Sequence, residues 1–206
     1  MKGITSFINE NTKTNSTQFI NEIKAVLDGR LVNKFRPYKG EGDKNRFAAQ
    51  DYNAKLICDE INKRGLYQAV TIAEYYKIHK KTDMYLLSTE EYANIDAKYG
   101  DIIFIDKNNL PLCKFDLKVS SENSDYTGSI SLGSLVKFDI NGWYICCCIK
   151  TGKYKIISHK RAFEYAKYPG NLRQPSENHK YKGYDVPFNG KNLTSEWWIS
   201  SASSEL

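Results

Sequence analysis

The stretch Gly100-Asp101-Ile102-Ile103-Phe104-Ile105-Asp106-Lys107-Asn108-Asn109-Leu110-Pro111-Leu112-Cys113-Lys114-Phe115-Asp116-Leu117-Lys118-Val119-Ser120 decides how the chain folds. Residues 102–105 form a continuous apolar run of strand length, Lys107-Asn108-Asn109 is turn chemistry, and residues 112–120 alternate strictly. Successive side chains of a strand point to opposite sides. Cys113, Phe115, Leu117 and Val119 therefore share one face, and Lys114, Asp116, Lys118 and Ser120 share the other. The segment reads as a β-hairpin.

Downstream of the hairpin, residues 121–134 are polar and rich in Ser and Gly and read as a loop. Residues 143–150 and 153–158 read as two strands joined at Thr151-Gly152, and residues 161–167 read as a helix. Upstream, Thr89-Glu90-Glu91 opens a helix that closes at Gly100, and residues 83–87 read as a short strand. Residues 68–79 admit either a helix or a strand. A helix over about residues 45–64 carries Phe47, Ala48, Tyr52, Leu56, Ile57 and Ile61 at helical spacing and stops at Gly65. An earlier helix, starting near Ser16 or Thr17 and ending at Gly29, presents Phe19, Ile20, Ile23, Val26 and Leu27 as one stripe. Residues 30–46 form a basic connection able to touch phosphate, and after Pro169 the periodicity fades into irregular structure. The interleaving predicts an α/β fold with a mixed central β-sheet flanked by helices and an irregular C-terminal segment. One domain is expected over residues 1–206, its core at about 45–168 and a basic segment at 169–206.

The 206 residues, 41% of them hydrophobic, suffice for one sizeable core. No apolar run of about eighteen residues occurs and the start lacks a secretory layout, so neither a membrane span nor export is expected. Three of the five cysteines, Cys146, Cys147 and Cys148, are consecutive, which is no disulfide framework; small core residues in a reducing cytoplasm are expected. The net charge of +6 is uneven: residues 1–100 carry +3, residues 101–148 carry −2 and residues 149–206 carry +5. An acidic middle between basic flanks suits a polyanion-binding protein that holds a cation at its centre. No P-loop, G-x-G-x-x-G or G-x-S-x-G occurs, so ATP hydrolysis and serine-hydrolase chemistry are not expected.

The chemistry lies in the hairpin. Asp101 stands at the entrance of the first strand, and Asp116 and Lys118 lie two apart on one face of the second. Two carboxylates brought together by neighbouring strands make a site for a hard divalent cation such as Mg²⁺. Lys118 beside them would orient or deprotonate a water, provided that its pKa is depressed. Of the three acid-x-lysine triplets, those at Glu22 and Asp96 lie in helical segments, where such residues diverge. Asp106 and Asp83 are alternative acids. The competing reading makes Lys114, Asp116 and Lys118 a solvated strand face with Asp101 capping a turn.

This arrangement resembles the PD-(D/E)xK nuclease superfamily, and within it the type II restriction endonucleases, over residues 100–120. Two positions depart from the pattern: Gly100 stands where proline is usual, and the second acid is Asp rather than Glu. The resemblance implies a Mg²⁺-dependent hydrolase of phosphodiester bonds in double-stranded DNA at a specific sequence, acting in the cytoplasm as a homodimer. It implies Asp101, Asp116 and the Leu117 carbonyl as metal ligands, Lys118 as the catalytic lysine, and an added acid from a preceding helix, for which Glu60 is the first candidate and Asp59 the next. Lys160 and Arg161, with His159, and Lys180 and Lys182, interleaved with tyrosines, are candidate DNA contacts. The alternatives are a non-catalytic nucleic-acid-binding or interaction domain and a structure-selective repair nuclease of the same superfamily.

Overall fold

Ile102–Ile105 (β2) and Pro111–Val119 (β3) pair antiparallel, with Ile102 opposite Phe115 and Phe104 opposite Cys113, as the hairpin reading requires. The computed structural model describes residues 4–28, 30–37, 43–120, 126–167 and 185–189. Asp106 builds the hairpin turn: its Oδ1 accepts the N–H groups of Asn108 and Leu110, each at 2.8 Å. Gln68–Thr71 (β1) adds antiparallel to β2. On the far side Trp143–Cys148 (β5) runs parallel to β3, and Lys153–Ser158 (β6) pairs antiparallel with β5. The result is a five-stranded mixed sheet of order β1-β2-β3-β5-β6. The crossover from β3 to β5 passes through Tyr126–Ser131 (β4) and Leu132–Lys137 (α5), and β4 pairs with Asp185–Asn189 (β7) in a separate two-stranded sheet.

Side-chain alternation gives the sheet two different faces. On one, Ile4–Asp28 (α1) and Asp43–Arg64 (α2) bury Phe19, Ile23, Leu27, Ile57 and Ile61 against Phe104, Phe115, Leu117, Ile145 and Cys147. Each large apolar side chain so buried stabilises the fold by roughly 1.5–3 kcal/mol. The other face carries two smaller clusters. Ile72–Lys80 (α3) and Thr89–Tyr99 (α4) cover the β1–β2 end with Ile72 and Tyr92, while α5 and His159–Ala166 (α6) cover the β5–β6 end with Leu135 and Ala162. Between these clusters runs β3, with Lys114, Asp116 and Lys118 at the seam.

Several local expectations need correction. The first helix starts at Ile4, ahead of Ser16, because the polar run of residues 9–18 separates Ile4, Phe7 and Ile8 from the stripe that begins at Phe19 and so masks the continuity of the helix; α1 also carries the core upstream of residue 45. Residues 68–79 split into β1 and α3 at Thr71, whose side chain accepts the Glu74 N–H while Glu74 accepts the Thr71 N–H, a reciprocal cap. Residues 83–87 form a 3₁₀ turn at Met84–Leu86 rather than a strand, because the Asp83 carboxylate caps the Tyr85 N–H. The span 121–134 holds β4 and the start of α5, and the tail expected to be irregular contains β7. The edge of β1 is closed by Asn62 of α2, whose amide donates to the Ala69 carbonyl at 2.9 Å and accepts the Ala69 N–H at 2.8 Å. All five cysteines are buried free thiols. Among the described residues no helix is long and apolar enough to cross a membrane.

Candidate active site

The site forms where β3 outruns β2. Since β2 begins at Ile102 opposite Phe115, residues 116–119 continue beside β5 alone, and Asp101 stands at the step. Gly100 makes this step possible. It adopts φ +71°, and a Cβ there would lie 2.7 Å from the Phe115 carbonyl oxygen and 2.9 Å from the Phe138 ring. That conformation is closed to proline, whose φ is fixed near −65°, which accounts for the first departure from the nuclease pattern. The Asp101 backbone is then held on both sides: its N–H donates to the Phe115 carbonyl at 2.9 Å, and its carbonyl accepts from the Ile72 N–H at 3.1 Å.

So fixed, the Asp101 carboxylate turns into the overhang. Its Oδ2 accepts the Leu117 N–H and its Oδ1 accepts the Gln50 amide of α2, each at 2.6 Å. The N–H and C=O of one strand residue project to the same edge, so the Leu117 carbonyl also faces the Asp101 side. From the same strand, Lys118 Nζ donates to the Asp116 carboxylate at 2.8 Å. The side chains of Asp116 and Lys118 are only 7% and 14% exposed, so this face of β3 is not the solvated one of the competing reading. Lys114 is also engaged, paired with Asp139 at 2.7 Å and lying over the Tyr99 ring.

Burial pushes the Asp101 carboxyl well above the usual carboxylate range, and the charges of Asp96 and Asp116 push it further against the opposing pull of Lys118. Burial acts on Lys118 in the opposite sense, but the carboxylates of Asp116, Asp101 and Asp96 outweigh it and raise the lysine pKa. Facing these three acids, Lys118 is held in its charged form.

Asp101, Asp116, Leu117 and Lys118 therefore come together, whereas other candidates lie elsewhere. Glu60 pairs with Lys63 at 2.7 Å, and Asp59 pairs with Lys55. The α2 residue that reaches Asp101 is Gln50, which a search for acids passes over. Asp96, set aside as part of a helical triplet, faces the site from the last turn of α4. Asp106 and Asp83 are used in turns. His159 is buried, its Nε2 bonded to the Leu135 carbonyl at 2.7 Å, so it is removed from any phosphate. Lys160 is exposed and Arg161 half-buried on α6, which packs on the β5–β6 end of the sheet; Lys180 and Lys182 lie outside the described residues.

Mg²⁺ takes oxygen ligands and commonly only one or two protein carboxylates, and the donor set of Asp101, Asp116 and the Leu117 carbonyl fits that preference. Among the described residues no three His, Cys, Asp or Glu side chains are grouped closely enough to bind a metal without such a carbonyl or water. No family model, no curated protein and no solved structure matches the chain.

Proposed function

We propose that the chain is a Mg²⁺-dependent DNA endonuclease of restriction type, hydrolysing phosphodiester bonds in double-stranded DNA. The observation that carries this reading is the meeting of two buried carboxylates, Asp101 and Asp116, with a lysine, Lys118, at the step between the strands of one hairpin. Asp101, Asp116 and the Leu117 carbonyl would hold the metal, which supplies neutralisation of charge at the phosphate and acidification of a water. Gln50 keeps Asp101 oriented, and Lys118 carries a positive charge toward the phosphate oxygens. A homodimer would match a palindromic site through its two-fold axis, and five reduced thiols suit the cytoplasm. Incubating the protein with unmethylated plasmid and Mg²⁺ should give discrete fragments, and Asp116→Ala and Lys118→Ala should give none. Cutting that persists in both variants overturns the assignment.

One observation favours a second reading, a nucleic-acid-binding domain without catalysis. Both Asp101 oxygens already accept nitrogen donors, and Lys118 is closed onto Asp116, as in a purely structural cluster. DNA binding with no cleavage under any divalent cation would decide for it.

A further inference from the structure

On the sheet face covered by α5 and α6, the hydroxyl of Tyr144 on β5 and the Nδ1 of His159 on α6 are buried without a hydrogen-bond partner. Their rings stack, with centroids 6.1 Å apart and planes inclined by 26°. The Nε2 of His159 donates to the Leu135 carbonyl, which leaves Nδ1 an acceptor with nothing to offer a carboxylate. Tyr144 is the reverse, a neutral donor. Burial, and then the charge of Asp116, push the pKa of its phenol up, so the hydroxyl keeps its proton. An unpartnered buried hydroxyl is a standing cost to the fold, and phenylalanine in the same place would not incur it.

The register sets this residue beside the site. Tyr144 is the direct partner of Asp116 across the parallel β3–β5 pair, so the two side chains leave the same face of the sheet from strands about 4.8 Å apart. Asp116 is thus flanked by Asp101 on the β2 side and by Tyr144 on the β5 side. The Tyr144 ring is fully buried and is pinned by Phe138, at 5.0 Å between centroids, as well as by His159. A ring so held has little rotamer freedom left to lose when its hydroxyl forms a bond.

Among the described residues the Asp116 carboxylate accepts from Lys118 alone, whose ammonium reaches both oxygens at 2.8 Å. A divalent cation on Asp116 would repel that ammonium, and a Lys118 turned toward a phosphate would withdraw the donor. A carboxylate that ligates a metal is ordinarily held by a hydrogen-bond donor of its own, and loss of that donor typically costs about 10–100-fold in metal affinity. Tyr144 is a donor next to Asp116 that carries no charge to oppose the cation.

We infer that Tyr144 is a positioning residue for the metal: its hydroxyl takes over the Asp116 carboxylate when Lys118 releases it to a divalent cation. This rests on the reading of Asp116 as a metal ligand, yet the two fail separately. The test is the thermal unfolding midpoint of the intact chain, followed against Mg²⁺ concentration at constant ionic strength and without DNA. A ligand that binds the folded state raises the midpoint once its concentration passes its dissociation constant. Wild type should show that rise, and Asp116→Asn should lose it. In Tyr144→Phe the rise should need about 10–100-fold more Mg²⁺. Its midpoint in EDTA should stay at or above that of wild type, because the unpartnered hydroxyl is gone. A Tyr144→Phe titration that coincides with wild type overturns the inference, and so does a lowered midpoint in EDTA, which would mean that the hydroxyl serves the fold itself. Either result leaves the nuclease reading standing. A wild type whose midpoint ignores Mg²⁺, or an Asp116→Asn variant that responds as wild type does, overturns the metal site and the inference with it.

Discussion

The charges on the outer side of α2 and those at the β3 overhang have the same chemistry and opposite surroundings. On α2, Lys55 bridges Asp59 and Glu74 at 2.9 and 2.7 Å, and all three side chains are more than a third exposed. At the overhang, Asp116 and Lys118 meet at a similar distance while nearly closed off from solvent. Water and ions screen the first group, so it contributes at most about 1 kcal/mol. In the second, each ion depends on its partner, and an apolar pair of the same volume would serve stability as well or better. Stability alone thus gives no reason for the overhang to hold charge, and the proposed function would supply one.

The largest expected effect comes from separating the buried pair. Asp116→Ala leaves the Lys118 ammonium buried beside an Asp101 that is already hard to ionise, and should destabilise the protein by about 3–5 kcal/mol in urea unfolding. Asp116→Leu combined with Lys118→Met should recover most of that loss while remaining inactive. If the double variant is as unstable as the single one, the pair acts through packing and the contrast with α2 dissolves. Gly100→Ala comes next, at about 2–3 kcal/mol, because its Cβ would be driven against the Phe115 carbonyl in a conformation that L-residues avoid. It should also abolish cleavage by shifting Asp101. Gln50→Leu removes one of two donors to the Asp101 carboxylate and should cost about 1–3 kcal/mol. Lys55→Ala is the smallest, below about 1 kcal/mol and shrinking as salt is added.

The hairpin was legible because a strict alternation and an Asn-Asn turn leave few other ways to bury Cys113, Phe115 and Leu117. Asp101, Asp116 and Lys118 could be placed together from that register alone. Gln50 could not, because its partner lies 51 residues away and only the packing of α2 across the sheet joins them. Glu60 was a reasonable choice by charge, but it lies on the exposed part of α2 and finds Lys63 three residues on. Asp96 shows the limit of the triplet argument: helical spacing does separate it from Lys98, yet the turn at Gly100 brings the end of α4 back to the strand it precedes. The burial of Asp116 was hidden for a related reason. Alternation assigns a residue to a face, and only the helices packed on either side of β3 decide whether that face meets water.

The side chain of Asn62 plugs both hydrogen-bonding groups of Ala69 at the outer edge of the five-stranded sheet. A sheet able to accept strands at both margins can add copies without end, as fibres do. With the β1 margin stopped, edge-to-edge pairing of the five-stranded sheet is left, among the described residues, the β6 margin, and two copies joined there exhaust that sheet's capacity. Any assembly made by continuing the five-stranded sheet therefore ends at a pair.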